Sequence, residues 1–523
     1  MLRFATILAV LAFAGRSDGQ ESQTTQSLKE LAVMPRTGDI TFSIGFNTVN
    51  GFFIEGEDID HSAEIRAIEG SLRGNLDDAE KYGRLSVLYA TDEKSKAAGE
   101  RTVELAKRRL AENPNDPAFI WKLGRAHFHS GEFLEAEPHL RKAVELLPRE
   151  NEAWIDLGNC LFSISSRQLV NGNKSISIFS DRFVKFLSEH PISAERLAEI
   201  NQRRDESAAC LDRAVELAPE SPNPYWHRAT IRALRRLQDS YLQQASGARP
   251  NSRLELQRYL DQDWQTAAKL APENPLAIGQ ATLWMFMAYV LGSDDPQATF
   301  HSMKFNAEDQ KLVDERNGQL ERLMSHRDRK ISADARYVRA VLLFLLEKDS
   351  SRSSKLVRES LKERRTHFPS MELLFACLAD GKEWAEALSL SEERLRIADK
   401  PSLRYNAAVS AFHLGKLDVA ERHLRQGLRL DPKDLDCNLG LTAVLLNRFD
   451  KSNVDEIRQC LFEAEIQCPE GDSSVRRSET VVLRSVAAAL MGDLPFARRT
   501  IQKLLENEPN NQPAKNLAKV LGK

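Results

Sequence analysis

The sequence predicts an all-α solenoid of stacked helix pairs, and three observations predict it. A turn pattern recurs, namely Gly, a polar residue, a large apolar residue, two further residues and Ala, beginning at Gly74, Gly131, Gly415 and Gly492. On both sides of that turn, apolar residues return every three or four positions, the spacing of one packed helix face. The chain is also 523 residues long, far more than one compact core needs, so it divides into domains or grows by repetition.

The clearest unit starts at Asn115. Ile120, Leu123, Gly124 and His127 form the packed face of a first helix, Ser130 and Gly131 the turn, and Ala136, Leu140 and Ala143 the packed face of a second helix that Pro148 stops. Pro114 and Pro148 are 34 residues apart. The next unit repeats the first half with Trp154, Leu157, Gly158 and Leu161. This arrangement resembles the tetratricopeptide repeat, whose pattern of about 34 residues runs from a W-x2-L-G-x2-Y helix to an A-x3-F helix and a closing Pro. Ile120 stands at the Trp place and His127 at the Tyr place. A small residue at the Gly place lets the paired helix approach, and the large residues fill the space beside it.

Later units keep the same ending. Ala420, Leu424 and Pro432 close one, and Ala497, Ile501, Leu504 and Pro509 another. A variant turn at Gly381, reaching Ala387 through Trp384, reads as one residue longer than the rest. Residues 512–521 read as a capping helix with no following repeat. The expected organisation is therefore a first array over 60–291, an irregular junction over 292–330 and a second array over 331–523, about eight helix pairs in all. Insertions of polar and small residues at 166–194 and 240–255 interrupt the first array, and the apolar run around Trp284, too short to span a bilayer, reads as a buried helix.

The N-terminus differs from the rest. Arg3 precedes an apolar run followed by small residues, the form of a signal peptide over 1–19 that is either removed or kept as a signal anchor, so the chain is expected to be exported to a periplasm or secreted, with no other integral membrane span. In the segment 20–59, Ile40, Phe42, Ile44 and Phe46 alternate with small or polar residues, and Asn50-Gly51 precedes Phe52, Phe53 and Ile54, which predicts a short β-hairpin. A lone hairpin needs support, so it either covers the end of the solenoid or docks on a partner's sheet. Asn173-Lys174-Ser175 forms a glycosylation acceptor pattern in an expected loop.

Composition narrows the function. The 73 basic and 76 acidic residues leave a formal charge of −3, which excludes the strongly basic surface of a nucleic-acid or anionic-membrane binder. Six cysteines are too few for a disulfide scaffold. Cys160 and Cys210 fall on the two helices of one interrupted unit, where a bridge or two small buried thiols are both open. Cys460 and Cys468 lie about 12 Å apart along a helix, out of bridging reach. His127, His129 and His139 lack the i,i+4 spacing of helical metal pairs, and the sequence holds no phosphate loop, nucleophile elbow or zinc motif. No catalytic residue, cofactor or metal is expected.

The resemblance implies binding instead. In the tetratricopeptide family the first helix of each pair lines the inner surface of a right-handed superhelix, where peptides or partner helices dock. The residues that the packing pattern leaves free on that surface are Trp121, Arg125, Phe128 and His129 in one unit, Ile155, Asn159 and Phe162 in the next, and Tyr405, Val409, Phe412 and His413 in the unit at Pro401. Aromatic and Arg side chains are typical contact anchors. The expected function is a non-catalytic protein- or peptide-binding scaffold. The rivals are a scaffold for envelope assembly or polysaccharide export and, less favoured, an enzyme with a site at the array junction.

Overall fold

The structure, a computed structural model, describes residues 28, 29, 31, 32, 34, 92–129, 131–171, 181–246, 253–291, 304–365, 367–397, 399–467 and 475–522. The signal segment, the hairpin, the turn at Gly74 and the acceptor at Asn173 lie outside them. Contacts divide the chain into two compact units, 40–377 and 378–523 with 1–39. The division falls at Cys377, well past the expected junction.

In the first unit the helices are α1 (Asp92–Glu112), α2 (Pro117–His129), α3 (Phe133–Leu146), α4 (Asn151–Leu169), α5 (Asp181–Glu189), α6 (Ala194–Leu217), α7 (Pro222–Ala245), α8 (Arg253–Leu270), α9 (Pro275–Leu291), α10 (Ala307–Leu323), α11 (Arg329–Leu342), α12 (Ser350–Glu363) and α13 (Phe368–Asp380). Helix α13 runs across the division. In the second unit follow α14 (Trp384–Ile397), α15 (Pro401–His413), α16 (Leu417–Leu430), α17 (Leu435–Asn447), α18 (Val454–Gln467), α19 (Val475–Leu490), α20 (Leu494–Asn507) and α21 (Gln512–Leu521). No strand occurs among the described residues.

Pairing follows the sequence pattern. Helix α2 packs on α3, α4 on α6, α7 on α8, α15 on α16, α17 on α18 and α19 on α20, and first helices also touch the first helix of the next pair, α2 with α4 and α15 with α17. The register is equal in the two units, since α2 and α4 begin at 117 and 151 and α15 and α17 begin at 401 and 435, each 34 residues apart. The Gly place works as close packing requires: a Cβ at Gly124 would stand 2.8 Å from the Leu140 side chain, and one at Gly158 2.9 Å from Leu211.

The turns share one hydrogen-bonding scheme. At Gly131 the residue's N–H donates to the carbonyl three residues back and the next N–H to the carbonyl five back, Glu132 to His127; the same pair of bonds recurs at Gly415 and Gly492. These glycines have φ of 74°, 72° and 92°, the left-handed conformation that closes a helix. The variant turn is a correction. It is not longer: Lys382, with φ 57°, takes the glycine place, and Glu383 donates to Leu378 as Glu132 does to His127.

Second helices are tied along the stack by a repeated ion network. In the first unit Glu137 bonds Arg141 at 2.9 Å and Arg203 at 2.7 Å, and Arg141 grips Glu206 with two nitrogens. At the same register Glu421 bonds Arg425 at 2.8 Å and Arg448 at 3.2 Å, and Arg425 grips Glu456.

The interruptions are more helical than the sequence pattern indicates. Helix α4 continues through 166–169 and α5 follows, so much of the 166–194 insertion is ordered; Leu169, Val170, Phe183, Leu187 and Ile200 form a small core of their own. Helix α7 extends to Ala245, into the second insertion. The expected irregular junction contains α10, capped by Asn306, whose side chain accepts from the Asp309 N–H at 2.8 Å. The apolar run at Trp284 is the buried helix expected, and its indole stacks on Trp264, which in turn meets Trp226 edge-on. No described helix is long and apolar enough to cross a membrane. Cys160 and Cys210 are free, buried thiols, and burial pushes both up to about 12.

The second unit holds one element the repeat pattern does not contain. Leu28, Ala32 and Met34 belong to its core, together with Tyr405, Val409, Leu424 and Leu439, and Leu31 packs against the same cluster.

Candidate peptide-binding faces of the first helices

The first-helix face of α2, α4 and α7 is a chain of polar contacts laid over buried apolar residues. Trp121 donates its indole N–H to Asp156 Oδ2 at 2.7 Å, and the Arg125 Nε lies 3.2 Å from the same oxygen. The guanidinium also sits 5.4 Å from the Trp121 ring centre, a cation–π distance. Asp156 is buried, and desolvation lifts its carboxyl to about 6 against the opposing pull of Arg125 and the Trp121 bond. One pair further on, the Asn159 side-chain nitrogen lies 3.0 Å from His227 Nδ1, and burial lowers His227 to about 4.

Several sequence-predicted residues are placed otherwise. Ile155 and Phe162 are buried at 1% and 4% exposure in a cluster with Leu211, Ala214 and Ile231, so they are core and not free surface. The reason is that α6 and the next first helix, α7, both pack on them, through Leu211 and Ala214 on the one and Ile231 on the other. Phe128 is half-buried, with its ring 5.4 Å from Phe133. His129 ends α2, and its side chain lies outside the described residues. Arg125 is the exposed member of this row. His127 is buried, as its Tyr-place packing role requires; it bonds Glu132 at 2.7 Å and stacks on His139.

In the second unit Tyr405 and Val409 are buried at 3% and 1%, again against the expectation of free surface. Phe412 is half-buried, and exposed His413 stacks on Trp384 at 4.1 Å. Tyr405 lies in the same buried cluster as the N-terminal turn. A Cβ built on Gly440 would lie 3.2 Å from both Met34 Cε and Tyr405 Cε2, which places the Met34 methyl over these two first-helix residues. The Asn447 side-chain N–H donates to the backbone carbonyl of Ala32 at 2.5 Å. Only Leu28, Leu31 and Ala32, at i, i+3 and i+4, carried a sequence signal for this contact, that of a short helical anchor face.

At the junction where the sequence left room for an enzyme, a cleft of about 790 Å³ is lined by Asp314, Glu321, Arg339, Glu347 and Lys348 among others. Its charges pair with one another: Arg339 bonds Glu347 at 2.7 Å and approaches Glu321 at 3.6 Å. Among the described residues its lining holds no Ser, Thr, Cys or His. Among the described residues no cluster of three His, Cys, Asp or Glu side chains is arranged to hold a metal ion.

The paired helices, their 34-residue register and the Gly-place packing make this a protein of stacked helix pairs, the fold that the sequence pattern predicts. No family model matches the sequence, and no curated protein matches it. Among solved structures it is similar to yeast Tom70, at 12% identity over 93% of this chain and 96% of that one, with a TM-score of 0.37. It is also similar to the human IFIT1 dimer with PPP-AAAA (13%, 89% and 94%, 0.40) and to the APC/C hetero-tetramer Cut9-Hcn1 (12%, 85% and 99%, 0.31). Likeness of this degree assigns neither partner nor activity.

Proposed function

We propose that this chain is an exported, non-catalytic scaffold that holds a protein or peptide partner on the first-helix faces of its helix pairs. The observation that carries this reading is the Trp121–Arg125–Asp156 group. Asp156 fixes both side chains while Arg125 stays exposed, so a cation is held ready beside a half-buried aromatic ring. Preorganised Arg and Trp are the residue types that dominate binding energy at protein interfaces.

The test is capture of partners from an extract of the producing cells by the wild-type chain and by Arg125→Glu. Arg125 is exposed but partners the buried Asp156, so loss of capture counts only where the variant keeps the helical circular dichroism of the wild type. A protein retained by the wild type and lost from the variant supports the reading. Identical captured sets, or none, remove it from this face. Salt washing of envelope fractions separates the soluble scaffold from one bound to an envelope assembly.

A further inference from the structure

We propose that the turn formed by Leu28, Leu31, Ala32 and Met34 is a built-in ligand of the second unit, and that the first-helix face of α15 and α17 recognises short one-turn helical peptides of this apolar chemistry. The proposal rests on the binding role given above to first-helix faces. It adds the occupant, the sequence chemistry and the state of the site.

Three observations combine. The turn presents Leu28, Leu31 and Ala32 at i, i+3 and i+4, the anchor spacing of a helix laid in a groove. Its side chains join the core of the second unit: Leu28, Ala32 and Met34 are nearly inaccessible, at 3%, 0% and 3%. The receiving face is shaped for it, since Gly440 leaves the space where Met34 rests beside Tyr405, and Asn447 donates to the Ala32 carbonyl. A bond from a side-chain amide to a ligand's main chain fixes orientation without reading its side chains. Lys29 adds charge to the fit. Asp450 is held below the usual carboxylate range by bonds from Ser452, and the Lys29 ammonium acts in the same direction.

An intramolecular ligand competes at a high effective concentration, so a peptide added from outside meets an occupied face. The experiment uses the full chain and a fluorescent synthetic peptide of residues 24–38. Wild type is expected to bind it weakly, and the Leu28→Asp/Met34→Asp chain, which frees the face, at least tenfold more tightly. Asn447→Ala in that released chain is expected to weaken binding about fivefold, the effect of one lost hydrogen bond. Equal binding by wild type and released chain, or no binding by a released chain of unchanged helicity, overturns the proposal. Should the released chain fail to fold, hydrogen exchange on the wild type decides: amides of residues 28–34 exchanging as fast as in the free peptide overturn it, and protection supports it. Arg125→Glu lies in the other unit, so loss of partner capture there and loss of peptide binding here are separately readable.

Discussion

In α4 the residue 35 places after the inner aromatic Trp121 is Asp156; in α17 the residue 35 places after Tyr405 is Gly440. The two arrays are otherwise set up alike at this level. Their first helices begin 34 residues apart, their turns close with the same two hydrogen bonds, and their second helices carry the same Glu–Arg–Glu network. With Asp156 in place, the aromatic and the following Arg are tied to the neighbouring helix and the face stays polar. With Gly440, a space is left, and Met34 fills it. At this position one side chain decides whether the first-helix face presents a polar group held in place from the next helix or leaves a space for an apolar ligand, while the second-helix side that holds the stack together is unchanged.

The strongest way to break this comparison is to give the second unit the residue of the first. Gly440→Asp puts a Cβ 2.7 Å from Leu424 Cδ2 and 3.2 Å from the Met34 methyl, and it buries a charge with no Arg in the place of Arg125, since Val409 stands there. We expect a loss of about 4 kcal/mol in chemical denaturation and free exchange of the amides of residues 28–34. A chain that keeps both its stability and its protected N-terminal turn removes Gly440 from the explanation.

A smaller effect is expected in the first unit and depends on pH. Asp156 is raised to about 6 by burial, so the folded chain holds this proton more tightly than the unfolded one. Its contribution favours folding below about pH 4 and fades as pH rises through 6, by about 3 kcal/mol in total. His227, lowered to about 4, acts oppositely, contributing above its ordinary value and losing that contribution as pH falls through 4. Denaturation of Asp156→Asn beside the wild type at pH 4 to 7 isolates the first effect, because His227 is common to both. The variant should gain on the wild type as pH rises, and a constant difference would show that the carboxyl titrates normally.

The turns sharpen the comparison at about 1 kcal/mol. Lys382 occupies a left-handed position that glycine fills at Gly131, Gly415 and Gly492, so Lys382→Gly should raise the melting temperature and Gly415→Lys should lower it by a similar amount. The smallest effect is a matched pair. Arg141→Ala and Arg425→Ala each remove a half-exposed ion network at the same register, and each should cost no more than about 0.5 kcal/mol at low salt and less at high salt. Unequal costs would mean that the second-helix side is not the shared part of the two arrays.

The sequence made the pair legible because its signals are local. Gly124 with Leu140, the turn glycines and the stopping prolines lie within one 34-residue unit, and each is imposed by backbone geometry or by close approach. Lys382 escaped because the turn needs a conformation and not a residue type, and the neighbouring Gly381 drew the reading one place early. Arg125 and the half-buried Trp121 were recognisable from spacing on the first helix. Ile155 and Phe162 were not, since their burial is supplied by α6 and α7 together, both beyond an insertion that breaks the period. Tyr405 and Val409 were hidden for a further reason: the buried cluster that takes them in includes Leu28, Ala32 and Met34, far from them in sequence and outside the 34-residue pattern.

The bond between Asn447 and the carbonyl of Ala32 joins residues 415 positions apart. The contacts of a regular helix pair fall within one 34-residue unit, but this contact has to wait for nearly the whole chain. At ~5–20 residues per second, the delay during synthesis is on the order of 20–80 s. For that interval Leu28, Leu31 and Met34 have no groove to enter. The turn that is buried in the folded chain is therefore, in the newborn chain, a bare apolar handle, available to chaperones or to a groove on another copy before its own exists.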